Sequence, residues 1–330
     1  MIMAVRVRDI AQQAGVSVGA VSRALKGQPG LKEATRTRIV EVARRLGYDF
    51  SRLQSSPIKR VLFVLHRQHN IALALPFYSA VLLGAESACR ERGIVLSVLA
   101  TSPADSLAAA IRLHEPDAFL CAGYLEPERL AVLKASGKPV VLADLWQPGL
   151  AAINPDNQQG GYLATRHLID LGRRRIAFLT RSLAHFSLRE REKGYRQALF
   201  EAKILNDPAL EVVAPPGDDA EQGLAQAVRQ LMALPVPPDA LFACNDAVAL
   251  IALRVCREAG IRVPEQLAIV GFDDIEAAAQ VVPGLTTLAV DKAALGRQAV
   301  EMLLAPPEDP PPQRQLPVTL VVRGSSQSTG

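Results

Sequence analysis

The chain has 330 residues, 49% hydrophobic and 21% charged, a globular balance that excludes disorder as the overall state and accommodates two or three domains at roughly 100–200 residues each. Its four cysteines (Cys89, Cys121, Cys244, Cys256) form no C-x-x-C pair, which argues against a disulfide framework or a zinc knuckle, and its longest uncharged apolar run, Ile71 to Ala85, is 15 residues with Pro76 inside it, too short to span a bilayer. The net charge of +4 is uneven: residues 1–60 hold 12 Lys+Arg against four acids, and the remaining residues 25 against 29, so a polyanion partner is expected at the N-terminus only.

In chain order, the basic head reads as three helices. Asp9 to Ala14 forms the first, with Ile10, Ala11 and Ala14 on one face. Gly15-Val16-Ser17 makes a tight turn, and Ser17 is a good N-cap for a second helix, Val18 to Leu25, whose inward residues are Val21 and Leu25. The third runs from about Glu33 to Leu46, with Ile39, Val42, Ala43 and Leu46 as an apolar stripe and Gly47 as its stop. A short second helix carrying Val18, Gly19, Ser22 and Arg23 outward fits the recognition helix of a helix-turn-helix, whose first residues reach base edges in the major groove. A plain three-helix bundle with a solvated basic face is the competing reading.

The run Val7-Arg8-Asp9-Ile10-Ala11-Gln12-Gln13-Ala14-Gly15-Val16-Ser17, then Ala20-Val21-Ser22-Arg23-Ala24-Leu25, Thr35-Arg36 and Leu46-Gly47-Tyr48 resembles the DNA-binding head of the LacI/GalR family of bacterial transcription regulators. The resemblance implies that Val18, Gly19 and Arg23 sit where bases are read. Arg23 offers two parallel hydrogen bonds to a guanine edge and Val18 a contact to a thymine methyl, while Gly19 permits close approach. Ser17, Ser22 and Thr35 are placed for phosphates, which position the head without specifying sequence. Beyond Tyr48 the family's Pro-Asn pair is missing, and Pro57 limits any hinge helix to about one turn. Asp49 to Pro57 leaves Leu53 as the aliphatic wedge for the minor groove, with Phe50 as an aromatic alternative and a flexible Ser-rich tether as the competing reading.

From Arg60 onward, short apolar runs alternate with amphipathic segments. Strands are predicted at Val61–Leu65, Val95–Leu99, Ala118–Cys121, Val140–Ala143, Ile176–Leu179, Leu241–Ala243 and Ala268–Val270, with helices such as Ser79–Arg92, Gln158–Leu171 and Glu190–Ala202. The fold class expected is therefore α/β: an all-α helix-turn-helix head, then a two-lobed parallel-sheet domain. The boundaries are a head over 1–48, a hinge or linker over 49–60 and a body over 61–330. Pro306 to Pro312 reads as a surface loop, Leu316 to Arg323 as a strand pattern, and Gly324 to Gly330 as a polar tail. No G-x-G-x-x-G follows a predicted strand, and no G-x-x-x-x-G-K-[ST], G-x-S-x-G or H-E-x-x-H occurs, so no catalytic residue, metal site or cofactor is expected.

Pro76-Phe77-Tyr78, Pro155-Asp156-Asn157, Arg189-x-Arg191-x-x-Gly194-Tyr195, Cys244-Asn245-Asp246, Gly271-Phe272-Asp273-Asp274 and Pro283-x-Leu285-Thr286-Thr287 resemble landmarks of the same family's effector domain, which is similar to periplasmic sugar-binding proteins. Each falls near a strand end, where ligands of open α/β sheets bind. Arg191, Asn245 and Asp273 would supply a guanidinium, an amide and a carboxylate suited to vicinal hydroxyls, with Arg191 opening the helix after Ile176–Leu179. A structural Arg191–Asp273 pair is the alternative. Phe77, Tyr78 and Trp146 would wall a sugar ring, and Asp156 is a further candidate. Asp246 and Asp274 read as caps or turn formers. His66, Arg67 and His69 would favour an acidic or phosphorylated sugar.

The function so implied is a sequence-specific DNA-binding transcription regulator: a repressor, acting as a homodimer on palindromic double-stranded operator DNA, released by a small carbohydrate-type effector bound between the lobes. A regulator activated by a corepressor, responding to a nucleobase or to a sugar acid or phosphate, is the alternative. An α/β enzyme fused to a DNA-binding head lacks its signature motifs. A secreted sugar-binding protein is opposed by the basic head and by the lack of a basic-then-apolar leader, so a cytoplasmic, nucleoid-associated protein without membrane contact is expected.

Overall fold

The computed structural model describes residues 5–25, 30–48, 58–67, 75–214 and 220–327. The chain divides into two compact units, Met1–Ile58 and Lys59–Gly330.

In the first unit, α1 (Val7–Ala14), α2 (Val18–Leu25) and α3 (Glu33–Arg45) pack around Ile10, Val21, Ile39 and Ala43, all fully buried. Each large aliphatic side chain so buried contributes about 1.5–3 kcal/mol. Leu25 is only partly buried, and Ala20 and Ala24 complete the inward face of α2. Helix α1 starts at Val7, two residues before the expected Asp9, which accepts from Arg6 N at 2.7 Å from within the first turn. Gly15 ends α1 at φ +64°, a left-handed conformation that strains any residue with a Cβ. At the far end of α3 the chain turns back through Gly47, Tyr48 N donates to Ala43 O, and the Tyr48 ring closes the core.

The second unit opens with β1 (Arg60–His66), α4 (Leu75–Arg90), β2 (Val95–Thr101), α5 (Leu107–His114), β3 (Ala118–Ala122), α6 (Pro127–Ala135), β4 (Val140–Ala143) and β5 (Ala151–Pro155), which build a first lobe. A second lobe follows: α7 (Asn157–Asp170), β6 (Ile176–Thr180), α8 (Phe186–Glu201), β7 (Glu211–Val213), α9 (Ala220–Met232), β8 (Ala240–Ala243), α10 (Asp246–Glu258), β9 (Ala268–Val270), α11 (Glu276–Gln280) and β10 (Thr287–Val290). The chain then returns. Helix α12 (Lys292–Leu304) packs on α4, β11 (Gln313–Leu316) joins the free edge of β5, and β12 (Val318–Val321) pairs antiparallel with β10. The first sheet has the order β2-β1-β3-β4-β5-β11 and the second β7-β6-β8-β9, and every pairing within them is parallel. The chain crosses between lobes three times: after β5, after β10 and after β11.

The central strands β1, β3, β4, β6 and β8 are buried on both faces, which is why they read as unbroken apolar runs. Strands β5, β7, β10 and β11 were not among those predicted. Of these, β11 (QRQL) is an exposed edge whose polar residues carry no apolar signature. The Leu316–Arg323 pattern is not one strand: Pro317 separates β11 from β12, which belong to different sheets. The expected polar tail is also corrected, because Ser325 and Ser326 are buried. Ser325 O accepts from Ile269 N at 2.7 Å, and its hydroxyl donates to Ile269 O at 2.7 Å while accepting from Thr286 N at 2.8 Å, so this segment flanks the edge of β9.

Candidate functional site

Between the two lobes lies a cavity of about 360 Å³. The residues that follow the strands supply its polar walls: Asp144 after β4, Arg181 and Ser182 after β6, Asn245 after β8 and Asp273 after β9. Phe77 and Tyr78 reach it from the first turn of α4, His185 and Ser187 from the start of α8, and Arg191 from its second turn. Parallel sheets leave this geometry open, because all strand C-termini of a lobe point to one side.

Arg191 is 3% exposed, and each of its three nitrogens donates one hydrogen bond within the protein. Nε donates to Asn157 Oδ1 at 2.9 Å, Nη1 to Cys244 O at 2.6 Å and Nη2 to Asp273 Oδ1 at 3.3 Å, and the guanidinium lies 3.6 Å from the centroid of Phe272. It sits within α8 rather than opening it; α8 begins at Phe186. A close approach of α7 to α8 holds it there: a Cβ on Gly161 would meet Arg191 O at 2.1 Å, and one on Gly194 would meet Gln158 O at 2.0 Å.

Asp273 adopts φ +114° and Asp144 φ +56°, both in the left-handed region, so each carboxylate is presented from backbone that side-chain-bearing residues seldom adopt. Burial pushes the Asp273 carboxyl up to about 6, against the lowering effect of Arg191. Asp144 accepts from Tyr78 Oη at 2.8 Å and from Ser187 Oγ. His185 Nε2 lies 3.3 Å from Tyr78 Oη and 3.7 Å from Asp144, and burial lowers its pKa, which favours the neutral ring at pH 7. Asn245 caps α10, its Oδ1 accepting from Val248 N at 3.0 Å. Asp246, next in sequence, lies beneath the cavity wall rather than in it. It accepts from Thr287 Oγ1 at 2.5 Å and from Ile275 N at 2.9 Å, which fixes the turn that carries Asp273. Burial, with Asp273 nearby, pushes its carboxyl up to about 7. Asp274 is held by Arg323 at 2.8 Å.

Phe77, Tyr78, Arg191, Asn245 and Asp273 therefore come together in one cavity, and the Arg191–Asp273 pair exists. Trp146 and Asp156 do not join them. Trp146, 43% exposed, stacks on Phe186 in a separate, amide-rich cleft, and Asp156 lines that same cleft while capping α7. The first polar residue after β4, Asp144, faces the cavity instead; Trp146 lies two positions further on. His66 faces Glu126 at 3.0 Å and Arg67 faces Asp105 at 3.3 Å, both outside the cavity, and His69 lies outside the described residues. Tyr124, Asp144, Arg181, Ser182, His185 and Ser187 are cavity residues that the sequence reading did not name. The signal that could have found Asp144, Arg181 and Ser182 is their position directly after a strand.

On the head, Val18 is 46% exposed, Gly19 and Arg23 are exposed and Ser22 is half-buried, so these residues of α2 form one outward face. Ser17 Oγ accepts from Ala20 N at 3.1 Å, as an N-cap does, which leaves its proton for another acceptor. Thr35 is half-buried in the first turn of α3. Leu53 and its alternative Phe50 lie outside the described residues. Among the described residues no helix is long and apolar enough to cross a membrane.

Residues 6–50 match the family "Bacterial regulatory proteins, lacI family", and residues 165–326 match "Periplasmic binding protein-like domain". The ribose operon repressor of Escherichia coli (strain K12) is 33% identical over 97% of this chain and 99% of its own. Among solved structures, a complex of the transcriptional regulator CelR with cellobiose superimposes with a TM-score of 0.72 at 30% identity, covering 97% of this chain and 99% of that one. A LacI family transcriptional regulator from Enterococcus faecium with bound ribose superimposes with a TM-score of 0.71 at 26% identity, covering 82% and 100%. With the two-part match in chain order, and a relative aligned end to end, this chain belongs to the LacI family of bacterial transcription regulators.

Proposed function

We propose that the protein is a cytoplasmic repressor without catalytic turnover. Two copies would place their heads on the half-sites of a palindromic operator, and a sugar-type effector held between the lobes would release them. The head spans 1–48, the linker 49–60 and the effector body 61–330. Val18, Gly19 and Arg23 read bases, Ser17, Ser22 and Thr35 hold phosphates, and Leu53 wedges into the minor groove. In the cavity Phe77 and Tyr78 wall the effector, while Arg191, Asn245 and Asp273 hold its hydroxyls.

One observation carries this reading: an inter-lobe cavity whose floor is a preset Arg191–Asp273 pair, in a chain whose head exposes the first turn of a helix-turn-helix. Filling the cavity ties both sheets to one ligand, so binding favours the closed arrangement of the lobes by the difference in affinity for the two states. The Asp144 and Asp273 carboxylates and the Asn245 amide of the lining, and the ribose and cellobiose bound by the relatives, support a polyhydroxylated effector over a nucleobase. Selection from random duplexes, followed by fluorescence anisotropy with and without candidate sugars, tests it. The expected result is a palindromic site bound in the nanomolar range that a sugar weakens by at least about tenfold. No enriched sequence, or a site that sugars strengthen, would overturn the repressor–inducer reading.

A further inference from the structure

The charges around the cavity do not all have partners. Arg191 is bonded to Asp273, and the Asp144 oxygens accept from Tyr78 and Ser187. Lys292, outside the cavity, donates to the backbone carbonyls of Asp274 and Val290. His185 sits against Asp144 and Tyr78. Arg181 differs. It lines the cavity from the first position after β6, is exposed, and among the described residues its guanidinium makes no hydrogen bond or ion pair. The cations that the sequence suggested for an acidic ligand, His66 and Arg67, are placed elsewhere and face Glu126 and Asp105.

We infer that Arg181 selects the effector's class: a polyhydroxylated molecule with one terminal anionic group, a carboxylate or a phosphate. This rests on the sugar-type reading of the same cavity. The physical reason is desolvation. A ligand that fills the cavity strips water from Arg181. A neutral sugar would leave that guanidinium with poorer partners than water, whereas a carboxylate or phosphate returns two parallel charge-assisted hydrogen bonds. The same electrostatics orient the ligand. Asp144 and Asp273 repel an anion from the floor and accept from hydroxyls, so the polyol end points inward and the anion lies at Arg181. A planar fork suits either oxyanion better than a lysine would.

Calorimetric titration of the full-length protein with two matched triplets tests this: D-ribose, D-ribonate and D-ribose 5-phosphate, and D-glucose, D-gluconate and D-glucose 6-phosphate. In at least one triplet an anionic member is expected to bind about tenfold or more tighter than its neutral parent, as a charge-assisted hydrogen bond predicts. Which member wins separates carboxylate from phosphate. Arg181→Gln is expected to abolish that preference, the anionic member then binding no tighter than its neutral parent, and Arg181→Lys to retain part of it. Because Arg181 is exposed and, among the described residues, bonded to no other side chain, neither change threatens folding. Neutral and anionic members binding alike, or a preference that survives Arg181→Gln, overturns the inference alone. No binding by any of the six overturns the sugar-type reading and the inference with it.

Discussion

Single residues carry the site's electrostatics, and Asp246 shows how burial sets them. Its carboxyl is buried, bonded to Thr287 and Ile275, and raised to about 7 from an ordinary value of 3.8. A carboxyl with a folded-state pKa above its unfolded value binds its proton more tightly in the native protein. Its contribution to stability is therefore full below about pH 4 and is lost as pH rises to about 7, at roughly 1.4 kcal/mol for each pH step of one between those two values. Asp246→Asn removes this titration. The melting temperature of the wild type, taken relative to the variant, is expected to fall between pH 4.5 and 7.5; a difference independent of pH would show that Asp246 is not raised. Asp273, raised to about 6 with the opposing pull of Arg191, titrates just below. At this scale the sequence was informative about identity and weak about direction. Arg191, Asn245 and Asp273 were named from the resemblance to the family's effector domain, which the close of the apolar runs before Asn245 and Asp273 supported. Trp146 was misplaced because two residues beyond Asp144 the chain has already turned away, and no pattern in the sequence reports that turn.

The five central strands announce themselves as apolar runs, whereas β11 (QRQL) carries no such run; burial alone does not decide, since the half-exposed β2 was predicted and the buried β5 was not. Helix packing is set by small residues whose role a sequence alone does not display. Gly161 and Gly194 bring α7 and α8 into backbone contact and so place Arg191 against Asn157. Gly194→Ala would drive a Cβ to 2.0 Å from Gln158 O, a backbone atom that cannot swing aside. The helices must separate, at a loss of about 1–3 kcal/mol as for other overpacked sites. Chemical denaturation measures that loss, and effector affinity is expected to fall with it because the Arg191 fork shifts. Unchanged stability would mean that the helices have slack at this crossing.

On the scale of the whole molecule, the two units each bury a core of their own, which predicts separable unfolding. The head is small, and small domains are marginal. Ile39→Ala, at a fully buried position, is expected to remove about 2–5 kcal/mol from the head alone. Calorimetry should show a head transition moved to lower temperature and a body transition unmoved, with operator binding weakened and effector binding intact. One transition shifting as a unit would contradict this. The division into a basic helical head and an α/β body was already readable in charge, helical periodicity and apolar runs, because those signals are local and repeat within a few residues. The resemblance to the family's effector domain already put Tyr78, Arg191 and Asp273 in one cleft; that Asp144 and Arg181 join them there was not read, since it depends on three crossings between lobes and on left-handed turns at two aspartates. Local periodicity records which face of an element is buried; which distant faces meet is a property of the packed chain.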